Sequence, residues 1–208
     1  MRAATAQVGN RHPSLARVVE EYAKIANHPL NDLNVIELWT VGNCLLAHTR
    51  AFEAQNQAQT LTEPLEPGHL ALLTDVAQLH TALILGFPQG RELAQRADQA
   101  QIAPEVIEPA ARLLDELSQN RDLVSDRARH LFSLLTSVVG TCDWATTRVG
   151  YTVYATARNV LLAMGKIVIK ANINSGIVGS AIAAGAWQVS GMTPDMSAVS
   201  APWTDRVD

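Results

Sequence analysis

Residues 35–52 read VIELWTVGNCLLAHTRAF. Apolar or small residues recur in it alternately three and four positions apart, at Val35, Leu38, Gly42, Leu45, Thr49 and Phe52. This spacing is typical of an α-helix that packs lengthwise on a neighbouring helix. We expect the helix to begin at a cap formed by Asn31 or Asp32 and to weaken through residues 54–59.

Helical spacing also occurs on both sides of this stretch. A first helix is predicted after His12-Pro13-Ser14 and should end before Pro29, because the residue that precedes a proline disfavours the α region. Further helices are predicted at residues 69–85, 91–101, 104–120, 122–138 and 141–171. The one β-branched run, residues 166–170, continues a helical pattern. The sequence therefore predicts an all-α bundle of about six to eight helices.

The C-terminal third of the chain has a distinct composition. Between residues 132 and 194 there are only five charged residues, together with seven of the twelve glycines. A break is predicted at residues 172–176, followed by a Gly/Ala-rich apolar helix, IVGSAIAAGAWQV, at 177–189. Small residues recur there at helical spacing, which allows two helix backbones to approach closely. We expect this segment to dock onto something other than the body of its own chain.

The domain organisation follows from length and from breaks in periodicity. A chain of 208 residues fits one domain with loose ends. Residues 1–12 are predicted to form a flexible arm and residues 190–208 an extended tail. Residues 13–189 are predicted to form a single helical domain. Two prolines and a glycine within residues 60–68 mark the clearest internal break and a candidate sub-boundary.

Charge and targeting signals narrow the class of protein. A net charge of −4 and the lack of a basic cluster argue against nucleic-acid binding. The densest group of arginines alternates with acidic residues and predicts a solvated helix face; it comprises Arg121, Asp122, Asp126, Arg127 and Arg129. The N-terminus lacks the apolar segment of a cleavable secretion signal. This favours a cytoplasmic location, with membrane association or signal-less export as alternatives.

No motif predicts catalysis, a cofactor or a metal site. The one Glu-x-x-His match, at residues 66–69, lies in a proline-broken loop, whereas di-iron bundles need two such motifs on helices. Cys44 and Cys142 lack metal-ligand spacing, and both buried thiols and a bridge between them fit the sequence. The chain is therefore interpreted as a protein without catalytic residues.

His80 is the one histidine that the helical pattern singles out. It shares a predicted helical face with Leu73, Val76 and Leu83, at the edge of the predicted core. The pattern favours a core histidine, and a pH-sensitive or ligand-binding histidine is the alternative.

The leading functional hypothesis is a non-catalytic assembly or interaction protein. Its partner would be a second copy or another protein, bound through the low-charge C-terminal helices. The candidate interaction residues are Gly176, Gly179, Ser180, Ala184, Gly185, Trp187, Trp144, Tyr151 and Tyr154. The first alternative is a membrane-active effector that inserts residues 161–189. The second is a ligand-binding or enzyme domain with a pocket between helices, near Trp39, His80 and Tyr151.

Overall fold

The structure is a computed structural model. It describes residues 12–61, 66–100, 102–139 and 147–175, and for residues 147 and 166–175 it describes the backbone alone. These residues form seven α-helices and one 3-10 turn, Leu30–Asp32, and contain no strand. The prediction of an all-α bundle is therefore confirmed. The helices are α1 Pro13–Ala26, α2 Val35–Gln57, α3 Pro67–Gly86, α4 Pro88–Gln99, α5 Pro104–Gln119, α6 Asp126–Val139 and α7 Thr147–Ser175.

Proline begins four of the helices. Pro13, Pro67, Pro88 and Pro104 each occupy the first turn of a helix, where the missing N–H has no partner to lose. Helix α2 begins differently, because the side chain of Asn34 accepts hydrogen bonds from the backbone N–H groups of residues 36 and 37, both at 3.2 Å. The predicted caps, Asn31 and Asp32, were wrong, since both lie in the 3-10 turn that precedes the helix.

Helix α2 is the centre of the bundle. It packs against α1, α3, α4 and α6. Buried side chains project from several sides of α2. Four of them have no solvent-accessible surface: Leu38, Val41, Cys44 and Leu45. The seam predicted from Val35 to Thr49 is buried, and only Phe52 at its end is half-buried. Neighbours on several sides explain why α2 is apolar around much of its circumference.

Helices α5 and α6 form a second packed pair beside this centre, and α6 also contacts α1 and α2. The interior between these elements is aliphatic, with Leu114, Leu134, Leu135 and Val138 fully buried. The core is therefore made of leucine, valine and alanine more than of aromatic rings.

Three helix boundaries differ from the sequence-based expectation. Helix α4 begins at Pro88 and includes Gly90, although residues 86–90 had been expected to separate α3 from a helix starting at 91. Helix α6 begins at Asp126, four residues later than predicted. Helix α7 continues to Ser175, through most of the break predicted at 172–176.

The backbone contacts divide the chain into one unit that ends at Ala157 and a second that begins at Arg158. In the described part of the second unit, α7 exposes Leu161 and Leu162 to solvent. The predicted arm, the Gly/Ala-rich helix at 177–189 and the tail lie outside the described residues, apart from His12. The division into arm, domain and tail stays a prediction.

Candidate functional site

Two of the predicted interaction residues fall within the described chain. Tyr151 and Tyr154 both lie in the first half of α7 and are half-buried. The other predicted residues lie outside the described part; they are Trp144, Gly176, Gly179, Ser180, Ala184, Gly185 and Trp187. Their grouping into one surface stays a prediction.

Helix α3 carries two apolar seams that run side by side. The inner seam, Leu73, Ala77, His80 and Ile84, is buried. The outer seam consists of Leu72, Val76, Leu79 and Leu83, with the same spacing of four, three and four residues. Leu79 is 68% exposed and Leu72 is 40% exposed, and the other two members are half-buried. A helix that is apolar on both sides normally has partners on both sides.

A groove of about 1080 Å³ lies between α1 and α3, alongside the outer seam. Tyr22 and two alanines of α1 form one wall, and outer-seam residues form the other. The rim on the α1 side carries Glu20 and Lys24, which form an ion pair of 3.0 Å. The outer seam therefore continues into an apolar groove with a charged rim.

Helix α3 is also the one helix among the described residues that is long and apolar enough to cross a membrane. Its mean hydropathy over 18 residues is 1.2, and 22% of that stretch is buried. Core helices of water-soluble proteins can reach the same length and composition, but they are mostly buried. Length and composition are by themselves a weak indication of a membrane span.

His80 fills the space between α2 and α3. It is 2% exposed, its ring lies edge-on to that of Tyr22 with centroids 5.4 Å apart, and its Nδ1 has no hydrogen-bond partner among the described residues. A Cβ atom added to Gly42 of α2 would lie 2.0 Å from Cε1 of His80, so α2 can approach the ring only at a glycine. Burial, with a smaller contribution from the positive charge of Arg148, lowers the pKa of His80 to about 4. The prediction placed His80 at the edge of the core, and the structure places it inside.

His48 of α2 is a second buried histidine, which the sequence pattern did not single out. It is 3% exposed, and within the described part of the chain its Nε2 has no hydrogen-bond partner. Burial, and secondarily the charge of Arg17, lowers the pKa of His48 to about 4. Both rings are therefore neutral at pH 7.

Side-chain hydrogen bonds and one cation–π contact connect α2, α4 and the first part of α7. The indole Nε1 of Trp39 donates to Oγ1 of Thr152 at 3.0 Å inside the core. The guanidinium of Arg148 lies 5.9 Å from the centre of the Trp39 ring. The same guanidinium donates two hydrogen bonds of 3.1 Å to the carboxylate of Asp98. The ring of Trp39 and the carboxylate of Asp98 therefore fix the guanidinium of Arg148 from two directions.

A charged cluster connects α1, α2 and α6. The buried carboxylate of Glu21 pairs with Arg127, approaches Nε2 of His130 at 3.1 Å, and lies 3.7 Å from Nζ of Lys24. Arg127 also pairs with Glu37 of α2. Burial raises the pKa of Glu21, but the hydrogen bond and charge of Arg127 outweigh burial and lower it overall. Arg127 was predicted to lie on a solvated helix face. In the structure it instead forms ion pairs with residues of two other helices, Glu21 of α1 and Glu37 of α2.

Within the described ranges, no three His, Cys, Asp or Glu side chains are grouped so that they could hold a metal ion. Cys44 is buried in α2, and Cys142 lies in the undescribed segment between α6 and α7. The two possibilities given by the sequence, buried thiols or a disulfide bridge between Cys44 and Cys142, therefore both stay predictions. Comparison with protein-family models, curated proteins and solved structures gives no match to this chain.

Proposed function

We propose that this chain is a non-catalytic helical assembly protein, in which the outer seam of α3 pairs with the same seam of a second copy. The observation that supports the proposal is a continuous apolar seam on the outer side of a packed helix, with Leu72 40% and Leu79 68% exposed. Scattered exposed leucines are ordinary, but a contiguous apolar stripe beside an apolar groove is typical of an interaction surface.

The seam is suited to pairing with itself. Its spacing of four, three and four residues is that of coiled-coil contacts, in which side chains of one helix fit between those of another. Asp75 is the only Asp, Glu, Lys or Arg residue in α3, so two copies of the helix meet with little like-charge repulsion. Pairing about a two-fold axis requires a self-complementary surface of this kind. The low-charge segment at 177–189 remains a predicted second contact.

Light scattering coupled to size-exclusion chromatography tests the proposal on the full chain. We expect a dimer or larger assembly, and we expect Leu79→Glu to raise its dissociation constant at least about tenfold, because the substitution places a charge in an apolar contact. Leu30→Glu is the matched control, since Leu30 is 67% exposed and lies in the 3-10 turn instead. It should leave the assembly unchanged.

Two results would contradict the proposed surface. A monomeric full chain at all accessible concentrations would rule out self-association altogether. An assembly that survives Leu79→Glu but is lost on truncation at Asn172 would assign self-association to the C-terminal segment instead of α3.

Membrane activity is the second candidate, and the length and hydropathy of α3 favour it in addition to the predicted insertion of residues 161–189. Flotation and dye release with vesicles of phosphatidylcholine and phosphatidylglycerol, at pH 7 and pH 5, separate the two functions. Membrane insertion predicts co-flotation and leakage, whereas assembly alone predicts neither.

A further inference from the structure

A cavity of about 350 Å³ lies where α2, α3 and the first turns of α7 meet. It is separate from the outer seam, and none of its lining residues belongs to the groove between α1 and α3. Its polar lining residues are Asn43, Arg50, Thr81 and Arg148, and its apolar lining residues are Leu46, Ala47 and Val149. We call it the arginine cavity.

The lining of the arginine cavity carries two positive charges and no carboxylate. Arg50 and Arg148 come from helices almost 100 residues apart in sequence, and guanidinium groups stay protonated at every physiological pH. No carboxylate of the described residues forms an ion pair with Arg50. The nearby Glu53 of α2 instead accepts a hydrogen bond from Thr74.

Arg148 is held in place before any ligand arrives. Asp98 accepts hydrogen bonds from its Nε and Nη2, and its guanidinium lies over the Trp39 ring. Those two bonds use two of the five N–H groups of the guanidinium, and three remain for other acceptors. Because the side chain is already ordered, binding a ligand costs less conformational entropy than it would at a mobile arginine.

The neutral lining residues complete a site for a small anion. Asn43 is buried, and its Nδ2 donates one hydrogen bond of 2.9 Å to the carbonyl of Trp39, which leaves the second amide hydrogen for another acceptor. Leu46, Ala47 and Val149 provide the apolar part of the lining. Paired guanidinium groups match the oxygen geometry of carboxylates and phosphates.

We infer that the arginine cavity binds a small oxyacid anion, with Arg50 and Arg148 each donating hydrogen bonds to its oxygens and Asn43 donating a further hydrogen bond. Asp98, which does not line the cavity, already balances the charge of Arg148, so the charge of Arg50 is the one that the ligand balances. A phosphate group and a small dicarboxylic acid share this chemistry. The site is independent of the proposed self-association.

Isothermal titration calorimetry of the full chain with sodium phosphate, and separately with sodium succinate, tests this inference against sodium chloride at matched ionic strength. We expect saturable binding of at least one oxyacid, and no saturable heat with chloride. Arg50→Gln should weaken that binding at least about tenfold, since a hydrogen bond to a charged group is lost. Arg50 is exposed and forms no ion pair with a described residue, so the variant should fold normally.

Arg112→Gln is the matched control, because Arg112 is an exposed arginine whose partner, Glu108, lies on its own helix at 3.7 Å. It should bind the oxyacid as the unmodified chain does. Binding of phosphate alone or succinate alone identifies the class of ligand. The inference is overturned if neither oxyacid binds, if Arg50→Gln binds as tightly as the unmodified chain, or if Arg112→Gln weakens binding as much as Arg50→Gln does.

Discussion

Gly42 and the ring of His80 share one small space between α2 and α3. We expect Gly42→Ala to reduce the free energy of unfolding by about 2 kcal/mol or more, because a new Cβ atom overlaps a ring that is buried and cannot move aside. The better helix propensity of alanine offsets only about 1 kcal/mol of this loss. Urea unfolding followed by circular dichroism measures the difference.

The control for Gly42→Ala is Gly68→Ala in α3, where nothing lies within 4 Å of an added Cβ atom. That variant should be as stable as the unmodified chain. If overlap with the ring is the cause, Gly42→Ala should cost much less in a His80→Ala background. Equal losses in both backgrounds would show that the ring is not responsible.

The two buried histidines predict a loss of stability in acid. The pKa values of His48 and His80 fall from about 6.5 in the unfolded chain to about 4 in the folded protein. The unfolded chain therefore binds more protons between these values, and stability falls as the pH drops from 6.5 to 4. Each ring should account for about 3 kcal/mol of that loss.

Urea unfolding at pH 7, 5 and 4 measures this dependence. A His80→Gln variant removes one titrating ring and should show roughly half the loss of the unmodified chain between pH 6.5 and 4. The lowered pKa of Glu21 acts in a lower range, below its unfolded value of 4.5, and does not account for a loss between 6.5 and 5. A flat profile from pH 7 to 5 would contradict the assignment of two neutral core histidines.

At the level of residues, the sequence predicted which side of a helix is buried better than it predicted which charged residues form ion pairs across the fold. The apolar face of a helix placed His80 in or near the core, because periodicity reports which side of a helix is buried. The pairs Arg148–Asp98 and Glu21–Arg127 join positions 50 and 106 residues apart. Nothing in a single sequence specifies which charges meet across such distances.

At the level of elements, the N-terminus of α2 offers a direct test of its cap. Asn34→Ala should destabilise the protein by about 1 kcal/mol, because the backbone N–H groups of residues 36 and 37 lose their acceptor. Asn31→Ala, at the position predicted from the sequence, should have little effect. Asn34→Asp should retain the cap. Thermal or urea unfolding of the three variants ranks them, and equal stability of Asn34→Ala and Asn31→Ala would contradict the cap.

Helix starts were predictable where a proline marks them, and less so elsewhere. Gly90 was interpreted as part of a break, but it lies inside α4, where an added Cβ atom would lie 2.1 Å from the carbonyl oxygen of Ile84. This glycine serves close packing at the corner between α3 and α4. At residues 172–175, asparagine and serine lower helix propensity by less than about 1 kcal/mol each, and α7 continues through them.

The two seams of α3 show why the candidate surface could not be assigned from the sequence. Both have identical spacing and differ in position by one residue, so periodicity does not say which one faces the core. The outer seam contains only leucine and valine, whereas the buried one contains Ala77 and His80. The less apolar seam is the buried one, and at His80 the glycine at position 42 gives the ring its space against α2.

At the level of the whole molecule, the cluster around Glu21 joins three helices that are distant in sequence. Arg127→Gln should reduce the free energy of unfolding by about 2 to 4 kcal/mol, because it leaves a buried carboxylate with weaker partners. Arg112→Gln removes only an exposed pair within α5 and should cost less than about 0.5 kcal/mol. Urea unfolding compares the two, and similar small losses would show that the cluster adds little to stability.

The central position of α2 has a consequence during protein synthesis. Its neighbour α1 is made before it and α3 and α4 follow it along the chain, but Arg127 of α6 follows its partner in α2, Glu37, by 90 residues. At about 5 to 20 residues per second, a ribosome needs roughly 5 to 20 s to make that interval. Throughout this time α6 is not yet there to cover α2, so the apolar residues on that side of α2 are accessible to contacts with other chains.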